Sequence, residues 1–304
     1  MIVWFKLHYP VLIVLILAAA LRVNLLFVRG TFWFDEIFSV HFSSLPWRET
    51  LKYWWLETNP PFYSLFLRGW LKLFGESEMI ARLPSFIFGL LSIFLLYKLA
   101  VAMFSRRAAI VAGLLMSLSG IHLFISTETR TYSLLTFLTI ASFWFFHKVV
   151  IMKSDKKTDW WLYGITQILF LYSHLTALPI VLIQCASAII FNLEPNRIKR
   201  FYRLQIISVL VFFLWFIPSI LSKFNLGLLS GWFFARDSAG SNILTTIVTL
   251  FVNAELSGAT FTLAALLLVG LILWQTKSIN WSAPNQTEKI TILLLTWGII
   301  PPLM

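Results

Sequence analysis

The sequence predicts an all-α polytopic membrane protein with about eight or nine transmembrane helices. Hydrophobic residues make up 59% of the 304 residues and charged residues only 12%, whereas soluble domains contain about 25% charged residues. Apolar runs bounded by charges recur along the chain, and most have about the 20 residues that one helical crossing needs. A soluble enzyme with a single anchor, a disordered chain and a coiled coil are therefore excluded.

The apolar runs predict the individual spans. They lie near residues 10–28, 83–104, 108–125, 131–151, 160–174, 176–193, 204–222, 257–275 and 290–304. The first imitates a signal peptide, but its apolar stretch continues to Val28, so we interpret it as an uncleaved first helix. The stretch from Trp160 to Leu193 is too long for one crossing at about 1.5 Å per residue, and polar residues around His174 divide it.

The distribution of charge predicts the orientation. Lys and Arg concentrate in alternate short connections, such as 105–107 and 197–203, which the positive-inside rule assigns to the cytoplasm. Most of the acidic residues lie in the opposite loops. The net charge of +11 therefore indicates loops that face anionic membrane lipids, and it does not indicate a nucleic-acid partner. We expect a multi-pass protein of the cell membrane, namely a bacterial inner membrane, with its active site extracytoplasmic.

The predicted organisation is a single transmembrane domain over residues 1–304 with two larger outer loops. The first loop, residues 29–82, carries two predicted interfacial amphipathic helices. One begins at Pro46, and the other runs from Pro61 to Gly75. The second outer loop is predicted at residues 223–256.

The acidic pair Asp35–Glu36 follows the first span directly and lies among large aromatic residues. Carboxylates beside apolar surface cost free energy unless they are paired or used. Adjacent side chains project about 100° apart on a helix and to opposite faces of a strand, so the two carboxylates have different roles. We predict that Asp35 and Glu36 are catalytic; the alternative is a solvated helix cap.

Further polar residues on the same side form a candidate substrate-binding set. They are Glu128, Arg130, Tyr132, Asn59, Arg82 and His174. Arginine suits phosphate because its planar fork matches the geometry of the anion. Two alternatives stay open: a Glu128–Arg130 surface pair worth at most about 1 kcal/mol, and a neutral His174 satisfied by a neighbouring carbonyl. Asp35 with Glu128 suits a divalent metal such as Mg or Mn, but we predict no metal and no required cofactor.

Four motifs occur in an order that resembles the C-type (GT-C) membrane glycosyltransferases. They are Asp35–Glu36, Asn59–Tyr63, Phe74–Pro84 and Thr127–Ser133. The chain is most similar to the branch of families 39 and 83, which contains the protein O-mannosyltransferases and the aminoarabinose transferase of lipid A. The resemblance covers residues 10–225. It implies a polyprenyl-phosphate-linked sugar donor, an active site at the outer membrane surface and a catalytic carboxylate at Asp35.

Two features depart from this family. Asn59 stands where the aminoarabinose branch has a lysine, so that substrate is not supported. The chain stops at Met304 inside an apolar run, whereas the family continues with further helices. We therefore expect an N-terminal fragment of a longer protein.

The chemistry of such a donor fits the residues. A sugar on a polyprenyl phosphate has a good leaving group, so the protein must chiefly supply a base. Asp35 can accept the proton of an acceptor hydroxyl, on a lipid, a glycan or a protein, as its oxygen attacks the anomeric carbon in line and inverts it.

Other function classes are a multi-pass transporter or lipid flippase and an inactive fragment that binds a lipid-linked sugar. Transporters place ionisable residues at mid-membrane in broken helices, often within internal repeats. Here the acids gather in loops and no internal repeat stands out. The sequence therefore favours the glycosyltransferase.

Overall fold

A computed structural model describes residues 2–57, 59–191 and 193–226, and within these ranges all regular structure is helical. The helices are α1 Ile2–Val28, α2 Phe34–Ser44, α3 Trp47–Tyr53, α4 Phe62–Phe74, α5 Glu78–Met103, α6 Arg106–Leu118, α7 Gly120–Ile125, α8 Tyr132–Phe146 with a π-helical continuation His147–Ile151, α9 Lys157–Leu171, α10 Ala177–Ile190 and α11 Pro195–Asn225. Among the described residues, four segments are long and apolar enough to cross a membrane: Tyr9–Val28, Glu78–Met103, Tyr132–Ile151 and Pro195–Asn225.

Each predicted span up to residue 222 coincides with helix, which confirms the all-α polytopic class. The span predicted at 108–125 is divided into α6 and α7 at Ser119, whose backbone is extended and whose hydroxyl accepts a hydrogen bond from the His122 N–H. The spans predicted at 257–275 and 290–304, and the second loop from residue 227 onward, lie outside the described residues.

The first loop folds into three short helices. Both predicted amphipathic helices are present as α3 and α4, and α4 is bounded by Pro61 and by Gly75, whose φ of +97° suits a residue without Cβ. The sequence reasoning missed α2, which begins one residue before the acidic pair and packs against α4. This third helix fixes the directions of Asp35 and Glu36.

Helix α5 is central to the bundle and contacts α1, α4, α6 and α8. Gly89 on α5 allows the loop before α8 to come close, because a Cβ at this position would lie 2.5 Å from the Cβ of Ser126. The loop 126–131 is thereby held against α5. It carries two of the predicted site residues.

A buried polar network joins the four helices α8 to α11. The Gln184 side chain donates to Ser142 Oγ at 2.6 Å and accepts from Tyr163 and Gln167 at 2.9 and 2.5 Å, and Gln205 donates to Tyr163 at 2.6 Å. In lipid such bonds between helices stabilise a bundle, because no water competes for the polar groups. The network fixes α11, which forms one wall of the candidate site.

Candidate active site

A buried ion pair between Glu36 and Arg82 lies at the centre of the candidate site. Arg82 Nε and Nη2 donate to the two carboxylate oxygens at 2.8 and 2.7 Å, and the Thr129 N–H donates to Oε1 at 2.8 Å. Arg82 also donates to the carbonyls of Gly30 and Thr31 at 2.8 and 3.2 Å. Both side chains are at most 2% exposed. The pair therefore joins α2, α5 and the loops before α2 and α8.

The ionised form of Glu36 is favoured in this setting. Burial raises the pKa of the carboxyl, but the hydrogen bonds from Arg82 and from the backbone of Thr129 more than offset it and hold the pKa below its usual value. Glu36 is fully buried and is not among the residues that line the cavity described next.

Asp35 projects from the same turn of α2 in another direction. Its carboxylate is 34% exposed, and its Oδ2 lies 3.5 Å from Arg130 Nη2. Arg130 Nη1 also approaches the Asp35 carbonyl at 3.4 Å and Ser39 Oγ at 3.3 Å. Because neighbouring positions on a helix point in different directions, the Glu36 carboxylate is buried and the Asp35 carboxylate is accessible.

The presented carboxylate lines a cavity of about 580 Å³ with two chemically different sides. The polar lining residues are Asp35, Asn59, Arg130, Tyr132, His174, Ser219 and Lys223, and the apolar lining residues are Leu175, Leu178, Phe212, Trp215, Phe216 and Ile220. Such a cavity fits an amphiphile whose polar head meets the charged end and whose hydrocarbon lies along α10 and α11.

His174 in this cavity has a defined tautomer when neutral. The backbone N–H of Thr176 donates to His174 Nδ1 at 3.2 Å, so the neutral ring carries its proton on Nε2. Burial lowers the pKa of His174, and the charge of Arg130 lowers it further. The neutral form of His174 is therefore favoured, and in this form the ring donates through Nε2.

Glu128 is buried beside the cavity but does not line it. Its Oε2 lies 3.4 Å from Arg29 Nη2, and its Oε1 has no hydrogen-bond partner within the described residues. Burial raises the pKa of Glu128 to about 7, although the charge of Arg29 opposes the rise. The open alternative of a Glu128–Arg130 surface pair is wrong, because Arg29 pairs with Glu128 and Arg130 with Asp35.

The structure brings Asp35, Asn59, Arg130, Tyr132 and His174 to one cavity. Glu36, Arg82 and Glu128 lie behind it and contact protein groups instead. The predicted roles of all eight residues stay predictions. Within the described ranges, no three His, Cys, Asp or Glu side chains are grouped in a way that could hold a metal ion.

The sequence reasoning missed the contribution of α11. Trp215, Ser219 and Lys223 line the cavity at successive helical turns, and the buried Trp215 Nε1 has no partner among the described groups. Lys223 donates to the Glu57 carbonyl at 2.8 Å and to Ser219 Oγ at 3.0 Å. The i, i+4, i+8 spacing at the end of an apolar span is the signal that could have identified this face.

Matches to known proteins cover much of this site. A family described as dolichyl-phosphate-mannose-protein mannosyltransferase matches residues 58–222, more than half of the chain. The fold resembles the archaeal oligosaccharyltransferase AglB from Archaeoglobus fulgidus, solved in complex with an inhibitory peptide and a dolichol-phosphate, with a TM-score of 0.52 and 15% identity. That match covers 96% of this chain and 39% of the oligosaccharyltransferase chain, so this chain spans well under half of its length. No curated protein matches the sequence.

Replacing one member of the buried ion pair is expected to destabilise the fold strongly. Arg82→Gln leaves the Glu36 carboxylate buried without its main partner, which typically costs about 3–5 kcal/mol. We expect a large fall in the free energy of unfolding, measured by denaturant titration in detergent micelles. As the control, Lys52→Gln removes the exposed pair with Glu49 and leaves stability unchanged. Equal stability of Arg82→Gln and the parent protein would contradict a structural role for the pair.

Glu128 is expected to make stability depend on pH. Because the fold raises its pKa from 4.5 to about 7, the folded state retains the proton to higher pH than the unfolded chain, and stability falls as pH rises through this window. The fall is expected to be smaller in Glu128→Gln. Thermal unfolding between pH 4 and pH 8, a range of about four pH units around the two pKa values, measures the difference. The exposed Glu78→Gln serves as control and should follow the parent curve. An unchanged slope in Glu128→Gln would contradict the raised pKa.

Proposed function

Because this chain belongs to the dolichyl-phosphate-mannose-protein mannosyltransferase family, we propose that it is an inverting membrane glycosyltransferase. It transfers a sugar from a polyprenyl-phosphate-linked donor to a hydroxyl of a lipid, glycan or protein acceptor. The observation that carries this proposal is the cavity that combines a carboxylate, an arginine and a histidine with an apolar wall. A carboxylate base beside an arginine and a histidine that can bind phosphate suits a transfer reaction. A transporter does not require this combination.

The two sides of the cavity suit the two parts of the donor. The polyprenyl chain lies along the aromatic and aliphatic wall, of which Phe212 and Phe216 form part. The phosphate lies at the polar end, where Arg130 offers its fork and His174 an Nε2–H. Lys223 adds a second cation to the lining. These donors stabilise the charge that the leaving phosphate gains, and they do so more strongly in a partly dehydrated cavity than in water.

Asp35 acts as the general base. The acceptor oxygen attacks the anomeric carbon from the face opposite the phosphate, and its proton passes to the Asp35 carboxylate. The bond between the anomeric carbon and the phosphate oxygen breaks, and its electron pair stays on the phosphate. One displacement of this kind inverts the anomeric configuration.

Glu36 and Arg82 act on this reaction as positioning residues. Glu36 holds the first turn of α2 to α5 and accepts from the Thr129 N–H, which lies next to Arg130 in sequence. The pair therefore fixes the separation of the base from the cation. This role is narrower than the catalytic role predicted for Glu36 from the sequence.

A smaller cavity of about 30 Å³ adjoins the main one and shares Asn59 and Arg130 with it. Ser39, Ser43 and Ser64 are among the residues that line it. The space holds a water molecule or two, or a hydroxymethyl group. It suits the hydroxyl-bearing arm of the acceptor, which would then approach the base from the side away from the apolar wall.

Replacement of the base is expected to stop transfer without stopping donor binding. Asp35→Asn keeps the size of the side chain but removes the proton acceptor, so the rate should fall by about 10²–10⁴-fold. The assay incubates the purified full-length protein with a panel of polyprenyl-phospho-sugars and measures which one is consumed. Binding of the consumed donor to the variant is measured separately.

Asp155→Asn is the matched control, because its carboxylate is 90% exposed and pairs with Arg197 far from the cavity. It should retain the parent rate. A rate for Asp35→Asn within a few-fold of the parent would remove Asp35 from the proposed role. Loss of donor binding together with transfer would indicate a binding role instead.

We also propose that the chain lies in a bacterial inner membrane and that the cavity faces the extracytoplasmic side, which is the orientation that the positive-inside rule predicts. Cys185 is the single cysteine, so a Cys185→Ser background allows labelling at one chosen position. Asp35→Cys is expected to react with an impermeant maleimide on intact cells, and Lys156→Cys only after permeabilisation. The reverse pattern would contradict the orientation, and access to position 35 that alternates between sides would support transport.

A further inference from the structure

A second groove lies at the opposite end of the bundle from Asp35. Its volume is about 530 Å³, and its lining comes from α1, α5, α6 and α8: Val11, Phe94, Tyr97, Lys98, Val101, Ala102, Arg106 and Trp144. The Asp35 cavity is instead lined by Tyr132, at the opposite end of α8 from Trp144. The groove therefore opens where α5 and α8 approach the other membrane surface.

The groove combines apolar walls with two cations. Lys98 and Arg106 are exposed, whereas no acidic side chain is among the described residues that line it. The Lys98 ammonium lies 5.3 Å from the ring centre of Trp144 and 5.6 Å from that of Phe94. Aromatic rings beside Lys and Arg are typical of the interface between hydrocarbon and head groups.

We propose that this groove is a binding site for an anionic phospholipid. One acyl chain lies against Val11, Phe94 and Val101, and the head-group phosphate lies between Lys98 and Arg106. A zwitterionic lipid fits the apolar walls equally well but carries no net charge to match two cations. The charge complementarity therefore selects the anionic class.

The position of the groove gives such a lipid a structural role. A lipid seated there contacts α1, α5 and α8 together, and α5 carries Arg82 while α8 follows the loop of Arg130. Each Lys or Arg near an anionic surface contributes roughly a fivefold preference, so two cations give about twenty-fivefold. We expect a preference of this size for phosphatidylglycerol over phosphatidylcholine.

The test counts bound lipid on the purified full-length protein by native mass spectrometry during titration with each of these two lipids. Lys98→Gln/Arg106→Gln should lose the preference for phosphatidylglycerol. Lys98→Arg/Arg106→Lys keeps both charges and should retain it, which separates loss of charge from misfolding.

The matched control is Lys199→Gln/Arg203→Gln, which removes the same charge from an exposed face formed by α11 alone. It should leave the preference unchanged. Equal binding of the two lipids by the parent protein, or an equal loss in both Gln double variants, would overturn the proposal. Displacement of the lipid by millimolar inorganic phosphate would also overturn it, because the site would then recognise the anion alone.

Discussion

The arrangement of the site depends on the buried ion pair between Glu36 and Arg82. Taking two charges out of water is expensive, and the expense is offset here because nearly every donor and acceptor of the pair is used. The pair connects a short helix of the first loop to the central α5 and to the backbone at Thr129. Without it, α2 would keep its packing against α4 but would lose its attachment to α5 and to the backbone at Thr129, so the position of Asp35 relative to Arg130 would be less closely fixed.

Much of the fold could be predicted because membrane spans are a local property of the sequence. An apolar run of sufficient length predicts its own helix, and Pro61 and Gly75 mark the ends of α4 without reference to other elements. Helix α2 was missed although Phe34, Ile37, Phe38 and Phe42 recur at helical spacing. The sequence could not show where α2 lies, because its position depends on a contact between residues 46 apart in sequence.

The same distinction holds within the site. The polar residues of the cavity could be found because they are unusual in so apolar a chain. The ion-pair partners of these residues could not be found from the sequence. Glu128, for example, pairs with Arg29, which is 99 residues away, and not with the nearby Arg130. The α11 wall was missed because Trp215 and Phe216 look like ordinary residues of an apolar span, and only packing shows that one face of the helix lines a cavity.

We propose that Glu36 holds the elements of the site together, whereas Asp35 contacts the reacting atoms. The most direct measurement is a structure of the protein with an unreactive polyprenyl-phospho-sugar analogue bound. We predict the phosphate at Arg130 and His174, the prenyl chain along α11, and the anomeric carbon facing Asp35 while Glu36 still binds Arg82. A donor seated outside this cavity, or a Glu36 carboxylate released from Arg82 and in contact with the sugar, would contradict it.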